Sequence, residues 1–394
     1  MGVELVFASD RCDQLEDPWW DHAIPIRFHE EERSVAAIVS AFPAAPPDGI
    51  LAVGDRPTIL AARAAAAFGL PGNPPEAAIA SRNKLASRRA FKAAGLPTPW
   101  FQPVPVDRDA FELSGHVTYP AVVKPLALSG SRGVRRVDDA AGFVAAFDRL
   151  RRLLDSRDVQ IERDTAHQVA MIESFIPGTE FAVEGLLDRG EFHLLAIFDK
   201  PDPLDGPFFE ETIYVTPSRA SHETQQRILE AVRAAIGALG LHHGPIHAEC
   251  RVNDSVYVLE IAARPIGGLC SKALRFGTDE HLISLEELLL RHALGEDVSR
   301  FERERDASGV MMIPIPRRGI YRGVDGVEEA RAVPGVKEIQ ITAKPDTMLV
   351  PLPEGKSYLG FVFARGGDAD AVDRALRDAH ARLQFAIDRD VAVI

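Results

Sequence analysis

Across residues 117–266 six strand-like runs follow one another with only two helical stretches among them. VTYPAVVK, VAMIESFI, EFAVEGLL, EFHLLAIF, PIHAECRV and VYVLEIAA are rich in β-branched and aromatic residues, whereas residues 139–155 and 222–239 carry helical spacing. Strands joined by a few residues must pair antiparallel, because a parallel pair needs a crossover of a dozen residues or more. This stretch is therefore expected to build hairpin sheets with helices lying among them, an α+β arrangement.

The first eighty residues follow another pattern. VELVFAS and GILAVGD resemble buried strands, and SVAAIVSAF and PTILAARAAAAFGL carry helical composition and spacing, so a small parallel-sheet α/β domain is expected. PGNPPEA breaks that pattern. SRNKLASRRAFKAAGLPTP then reads as one helix closed by Gly95, with Pro97 and Pro99 beyond it as stop signals. A chain of 394 residues is too long for one compact core. The expected division is 1–97, 98–180 and 181–394, the last part carrying VMMIPIP, GIYRGV, KEIQITA and YLGFVFA before a terminal helix near residues 368–388.

A net charge of -13 with no concentrated basic face argues against a nucleic-acid partner. Any phosphate has to be met locally. The chain is 46% hydrophobic and 26% charged, within the range of soluble globular proteins, and no apolar run approaches a membrane span. Cys12, Cys250 and Cys270 show no metal-ligand spacing, and the start MGVELVFASDRCDQ lacks the basic segment of a leader, so a reducing, cytoplasmic setting is expected.

Three segments carry chemistry. In VVKPLALSGSRGV, Lys124 ends a β-branched run in a chain with only eight lysines among its 45 basic residues, and a compact ammonium suits one phosphate oxygen better than a planar guanidinium. The following loop, with Ser129, Gly130, Ser131, Arg132 and Gly133, can turn N–H groups and hydroxyls toward an anion. It is neither a G-x-x-x-x-G-K-[ST] loop nor a G-x-G-x-x-G fingerprint, and a kinase would place its glycines before the lysine. In IESFIPGTEF, Pro177 and Gly178 interrupt a strand between Glu173 and Glu180, which leaves backbone groups free for a flat base.

The third segment is the pair IHAECRV and VYVLEIAARP, joined by Asn253, Asp254 and Ser255. With an even-numbered loop, as an Asn-Asp turn would give, His247, Glu249 and Arg251 share a face with Glu260, Ala262 and Arg264. Glu249 and Glu260 then repel unless a cation lies between them, and hard oxygen ligands near phosphate suit Mg²⁺. An odd loop puts the two acids on opposite faces. Zinc at His242, His243 and His247 is not expected on a helix, since Gly244 and Pro245 break one; His247 reads better as a neighbour of the acidic pair.

In this order the segments resemble the ATP-grasp superfamily, and within it the carboxylate-amine ligases that include L-amino-acid ligases. The similarity covers about residues 81–268, and FVFARG near the end is similar to the carboxy-terminal part of such ligases. The resemblance implies α+β ATP-grasp lobes behind the amino-terminal domain, ATP and Mg²⁺ (with Mn²⁺ as a substitute) as cofactors, and small-molecule substrates: an amino acid or other carboxylate, and an amine. A homodimer is compatible with it. Lys84 and Lys124 would contact ATP phosphates, and Ser129, Gly130, Ser131 and Gly133 would form a flap over them. Glu173 and the backbone at Phe175 would receive adenine, and Glu180 the ribose. Glu249 and Glu260 would hold metal. Arg264 would steady an acyl phosphate, making Arg264, Lys124 and His247 the catalytic candidates, with Glu211, Gly267 and Gly268 beside the substrate. The family commonly has E-x-N-x-R on the second metal strand where this chain has EIAAR, so Ala262 replaces an oxygen ligand. Another ATP-grasp ligase, of glycinamide-ribotide synthetase or biotin carboxylase type, and a nucleotide-binding regulator are the alternatives.

Overall fold

The computed structural model describes residues 2–10, 22–278 and 281–389. Cys12 lies outside them; Cys250 and Cys270 are buried free thiols. No helix among the described residues is long and apolar enough to cross a membrane.

The amino-terminal part packs helices Glu31–Ser40 and Thr58–Phe68 around Ile26, Ile38, Leu60 and Ala64. Its parallel sheet is small, pairing Ala8–Ser9 with Ile24–Pro25. GILAVGD is not a strand: residues 49–54 join no ladder, and Leu51 packs instead on the core beneath the large sheet. The single helix expected from Ser81 is two, Pro75–Arg82 and Lys84–Ala93. Asn83 separates them because its extended backbone lets the side chain accept from the N–H groups of Leu85 and Ala86, which caps the second helix. Gly95 ends that helix with φ +75°, as its position suggested.

A four-stranded antiparallel sheet follows, in the order Phe101–Pro105, Val169–Ser174, Ala121–Pro125, Arg135–Val137. Helix Ala140–Leu154 covers it, burying Phe143, Phe147 and Leu150 against Val123 and Ile172. The large sheet has eight strands in the order Val256–Ala262, Gly244–Val252, Thr179–Asp188, Glu191–Asp199, Ile213–Thr216, Ala307–Ile313, Gly360–Gly366, Val336–Ile341. The expected division at residue 180 falls just inside Thr179–Asp188. Helix His222–Leu239 packs Ile228, Val232 and Ile236 on one half of the sheet, and helix Ala369–His380 packs Val372 and Leu376 on the other.

All six strand runs of residues 117–266 and both of their helices are present, which makes this region α+β as expected. The terminal helix is shorter than expected. It stops at His380, and Gln384–Arg389 pairs with Gly319–Asp325 as a strand. Leu383 and Ile387 are buried while Gln384, Ala386 and Asp388 are exposed, a period of two that a helix cannot satisfy.

Candidate active site

Glu249 and Glu260 are direct partners across the ladder between Gly244–Val252 and Val256–Ala262. The expected even loop is absent. Val252 pairs with Val256, so three residues make the turn, and an uninterrupted ladder would put the two acids on opposite faces. The register shifts between Glu249 and Cys250: Cys250 opposes Val258, Glu249 opposes Glu260, and Leu259 is the extra residue of a β-bulge. The bulge restores the shared face. Arg88, which sequence reasoning missed, braces it by donating to the carbonyls of Val258 (2.9 Å) and Leu259 (3.3 Å).

Arg88 also donates to Glu173 Oε2 from Nε (3.3 Å) and Nη2 (3.2 Å), while Lys124 is bound to the other oxygen, Oε1. Both oxygens of buried Glu173, expected at the adenine, thus meet cations, and Lys124 is one of them. Burial lowers the Lys124 ammonium to a pKa of about 8, against the opposing pull of Glu173. The strand break is likewise more occupied than expected. The Phe175 N–H donates to the Pro120 carbonyl (3.0 Å), the Ile176 carbonyl accepts from Arg251 (2.8 Å), and the Pro177 carbonyl accepts from Asn253 (2.9 Å). The Phe175 ring faces Phe209 at 6.4 Å, with the Arg136 guanidinium 4.3 Å and the Arg251 guanidinium 5.2 Å from its centre.

Lys200, also missed from sequence, is the hub of the acids. Its Nζ lies 2.8 Å from Glu180, 2.6 Å from Glu211 and 3.1 Å from Glu249, and one oxygen of each carboxylate falls within 4.8 Å of the others. Glu180 is bound by Arg251 as well (2.8 Å), with one cation on each of its oxygens. Burial, then repulsion from Glu249, pushes Glu211 up to about 7, and Tyr214 donates to it at 2.7 Å. His247 is bound to Glu184 through Nδ1 and lies 3.6 Å from Glu249 through Nε2. Burial works against its charge, but Glu184 prevails and raises it to about 9. His247 is therefore a cation at neutral pH.

Lys84 lies 2.9 Å from Glu260 and donates to the Leu128 carbonyl at 2.9 Å, so it bridges the metal strand and the glycine loop. In that loop Gly130, Ser131 and Gly133 all have positive φ. Arg264 pairs with Asp55 of the amino-terminal part at 2.9 and 3.1 Å, and feels the charges of Glu260 and Glu184 as well. Against the upward push of burial, Arg264 holds the Asp55 carboxyl below its usual range. Gly267 has open space at its Cβ position, whereas a Cβ on Gly268 would sit 3.4 Å from Phe361 with φ at +61°.

The donor set fits a divalent cation. Glu249 and Glu260 face each other, each neutralised by an ammonium that a metal ion can replace, and Glu211 adds a nearby oxygen. Ala262 faces His247 in the register and offers no oxygen. An ATP-grasp domain model matches residues 117–273, the span that holds nearly all of these groups. The chain contains an ATP-grasp domain. A second model, the L-amino acid ligase C-terminal domain 2, matches residues 311–388. The chain is 26% identical to an uncharacterized protein of Sinorhizobium fredii over 321 residues, covering 81% of the chain and 64% of the relative. It is 29% identical to alanine–anticapsin ligase of Bacillus subtilis over 221 residues, 52% of the chain and 46% of that enzyme. It thus spans about half to two thirds of these curated relatives. The crystal structure of an L-amino acid ligase from Bacillus licheniformis superposes with a TM-score of 0.75 at 28% identity, covering 93% of this chain and 88% of that one.

Proposed function

We propose that the chain is an ATP-dependent carboxylate-amine ligase that joins an amino acid or related carboxylate to an amine as a dipeptide-type amide. The observation that carries this reading is the bulge-set opposition of Glu249 and Glu260, with Lys84 and Lys200 on its two sides. In the reaction the substrate carboxylate attacks the γ-phosphorus of ATP and ADP leaves. The amine then attacks the acyl carbon, phosphate leaves, and the amine gives up a proton. No protein nucleophile is needed; catalysis rests on alignment and charge. Bound Mg²⁺ supplies neutralisation of the phosphate oxygens. Lys84 and Lys124 bind phosphate, Glu173 and Arg88 orient Lys124, and His247 adds positive charge beside Glu249. Arg264, held by Asp55, steadies the acyl phosphate.

The test is ATP and Mg²⁺ with a panel of amino-acid pairs, read by phosphate release and by product mass. Phosphate release that requires both partners, with a product of amide mass, supports the reading; nucleotide binding with no amide from any pair overturns it. That second outcome belongs to a nucleotide-binding regulator, which Ala262 favours. Gly267 offers room for a bulky substrate group, so Gly267→Trp should lose large amino acids before small ones, and an unchanged substrate profile would remove Gly267 from the pocket. The expectation for Gly268 moves to Gly267, because at φ +61° any side chain is strained before it meets substrate.

A further inference from the structure

At the opposite end of the strand pair that carries the acids, three residues distant in sequence meet. Asp188 ends strand Thr179–Asp188, His243 precedes strand Gly244–Val252, and His292 lies in the last turn of helix Leu285–Ala293. Asp188 Oδ1 is 3.4 Å from His243 Nδ1 and 3.7 Å from His292 Nε2, and one ligand atom of each residue falls within 4.8 Å of the others. The two imidazoles stack at 4.4 Å. His292 is only 5% exposed, and its buried Nε2 makes no hydrogen bond. A buried imidazole nitrogen without a partner calls for a ligand. The His243 Nδ1, the atom nearest Asp188, accepts only a long bond from the Arg189 N–H (3.4 Å), which a metal ion would displace. The Asp188 side chain is 53% exposed, which leaves the cluster open to solvent on its carboxylate side.

We propose that Asp188, His243 and His292 bind one divalent transition-metal ion of the zinc class, at a site separate from the ATP centre. Two imidazoles and a carboxylate select such an ion over Mg²⁺ or Ca²⁺, which prefer oxygen shells. Tetrahedral zinc with bonds near 2.0–2.1 Å sets its ligand atoms roughly 3.3 Å apart, close to the spacing of Asp188 from both histidines. Three protein ligands leave one position, and a cavity of about 60 Å³ lined in part by Asn73, His243 and His292 has room for a water there. Asp188 is eight residues along the strand from Glu180, about 26 Å at ~3.3 Å per residue, so the ion would not share the acids around Lys200. Its consequence is structural. Asn73 Oδ1 already accepts from the N–H groups of His242 (2.7 Å) and His243 (3.1 Å), so the metal would tie the strand end, the helix and the amino-terminal part at one point.

The experiment strips the full-length protein with a chelator, dialyses it against Zn²⁺ in excess Mg²⁺, and counts bound zinc; Co²⁺ absorption then reports nitrogen ligands. One zinc per chain is expected in the wild type and in Glu249→Gln. His292→Ala should lose it, and Asp188→Asn should bind at least about tenfold more weakly. No zinc in the wild type, zinc lost in Glu249→Gln, or zinc held equally by His292→Ala and Asp188→Asn overturns the proposal. If His292→Ala does not fold, the exposed Asp188→Asn decides alone. ADP formation by the zinc-free protein with Mg²⁺ tests the ligase reading separately.

Discussion

Of the three carboxylates around Lys200, Glu180 also meets Arg251 and Glu249 lies near His247, while Glu211 meets the Tyr214 hydroxyl. Burial and Glu249 therefore raise Glu211 to about 7, so that near neutrality it shares a proton with its neighbour. A divalent ion arriving at Glu249 must expel that proton. Mg²⁺ affinity should thus rise as pH increases through about 7, and Glu211→Gln should flatten the profile in titration calorimetry; an equally steep slope in the variant would show that the proton sits elsewhere. Lys124 titrates in the opposite sense. Its ammonium is present below about 8 and lost above it, so nucleotide affinity should fall as pH passes that value, and Lys124→Met should bind weakly at every pH and lose on the order of a hundredfold in turnover. A bound-nucleotide titration in both proteins checks this. Lys124 could be singled out because lysine is scarce in an arginine-rich chain, and the same scarcity marks Lys200 between Asp199 and Pro201. Arg88 gave no such mark. It is one arginine among 37 and is identified only by what it touches: a carboxylate under Lys124 and two carbonyls of a bulge.

Strand identity was legible because hydrophobic alternation is local, but the face on which Glu260 lies depends on a single extra residue. Leu259 has nothing in its side chain to announce a bulge; the feature exists because Arg88 and the neighbouring strands accommodate it. Deleting Leu259 should remove the bulge and give a regular ladder in which Glu260 still opposes Glu249, so a folded protein that keeps metal-dependent turnover is expected. Turnover lost with circular dichroism unchanged would show that the geometry of the bulge, and not the shared face alone, serves the site. Along the next ladder, acids at 180, 184 and 188 meet Arg251, His247 and His243, four residues apart on each strand. Each strand reads as ordinary polar alternation, and only pairing turns it into a row of ion pairs. The middle pair makes stability depend on pH. Because Glu184 raises His247 from 6.5 to about 9, its contribution is fully present below about 6.5 and lost as pH rises through about 9. The loss should approach about 3 kcal/mol, and urea unfolding of wild type minus His247→Gln at pH 6.5 and 9 isolates it from Lys124. A constant difference would contradict the assignment.

The candidate site draws on parts of the chain far apart in sequence. Asp55 reaches Arg264 from the amino-terminal part, and the glycine loop is held from the carboxy-terminal part, where the Gly133 N–H donates to the Pro353 carbonyl (2.8 Å) and Arg132 donates to the Glu354 carbonyl (3.0 Å). Arg149 grips the Glu354 carboxylate through two nitrogens. None of these contacts could be read from spacing, since each joins residues separated by two hundred positions or more. The contacts at Pro353 and Glu354 hold the glycine loop against the carboxy-terminal part. Glu354→Ala should loosen it and admit water, so ATP hydrolysis without an amine should rise several-fold while amide yield per ATP falls; an unchanged ratio of phosphate to product would mean that closure does not depend on these contacts. On the proposed ligase reading, the segment that would set how long the reactive intermediate is sheltered performs no chemistry itself. Two relatives could keep identical ATP-binding groups and still differ in thrift, one wasting nucleotide and the other not, through a few residues between 351 and 355, and exchanging only that stretch should transplant the habit.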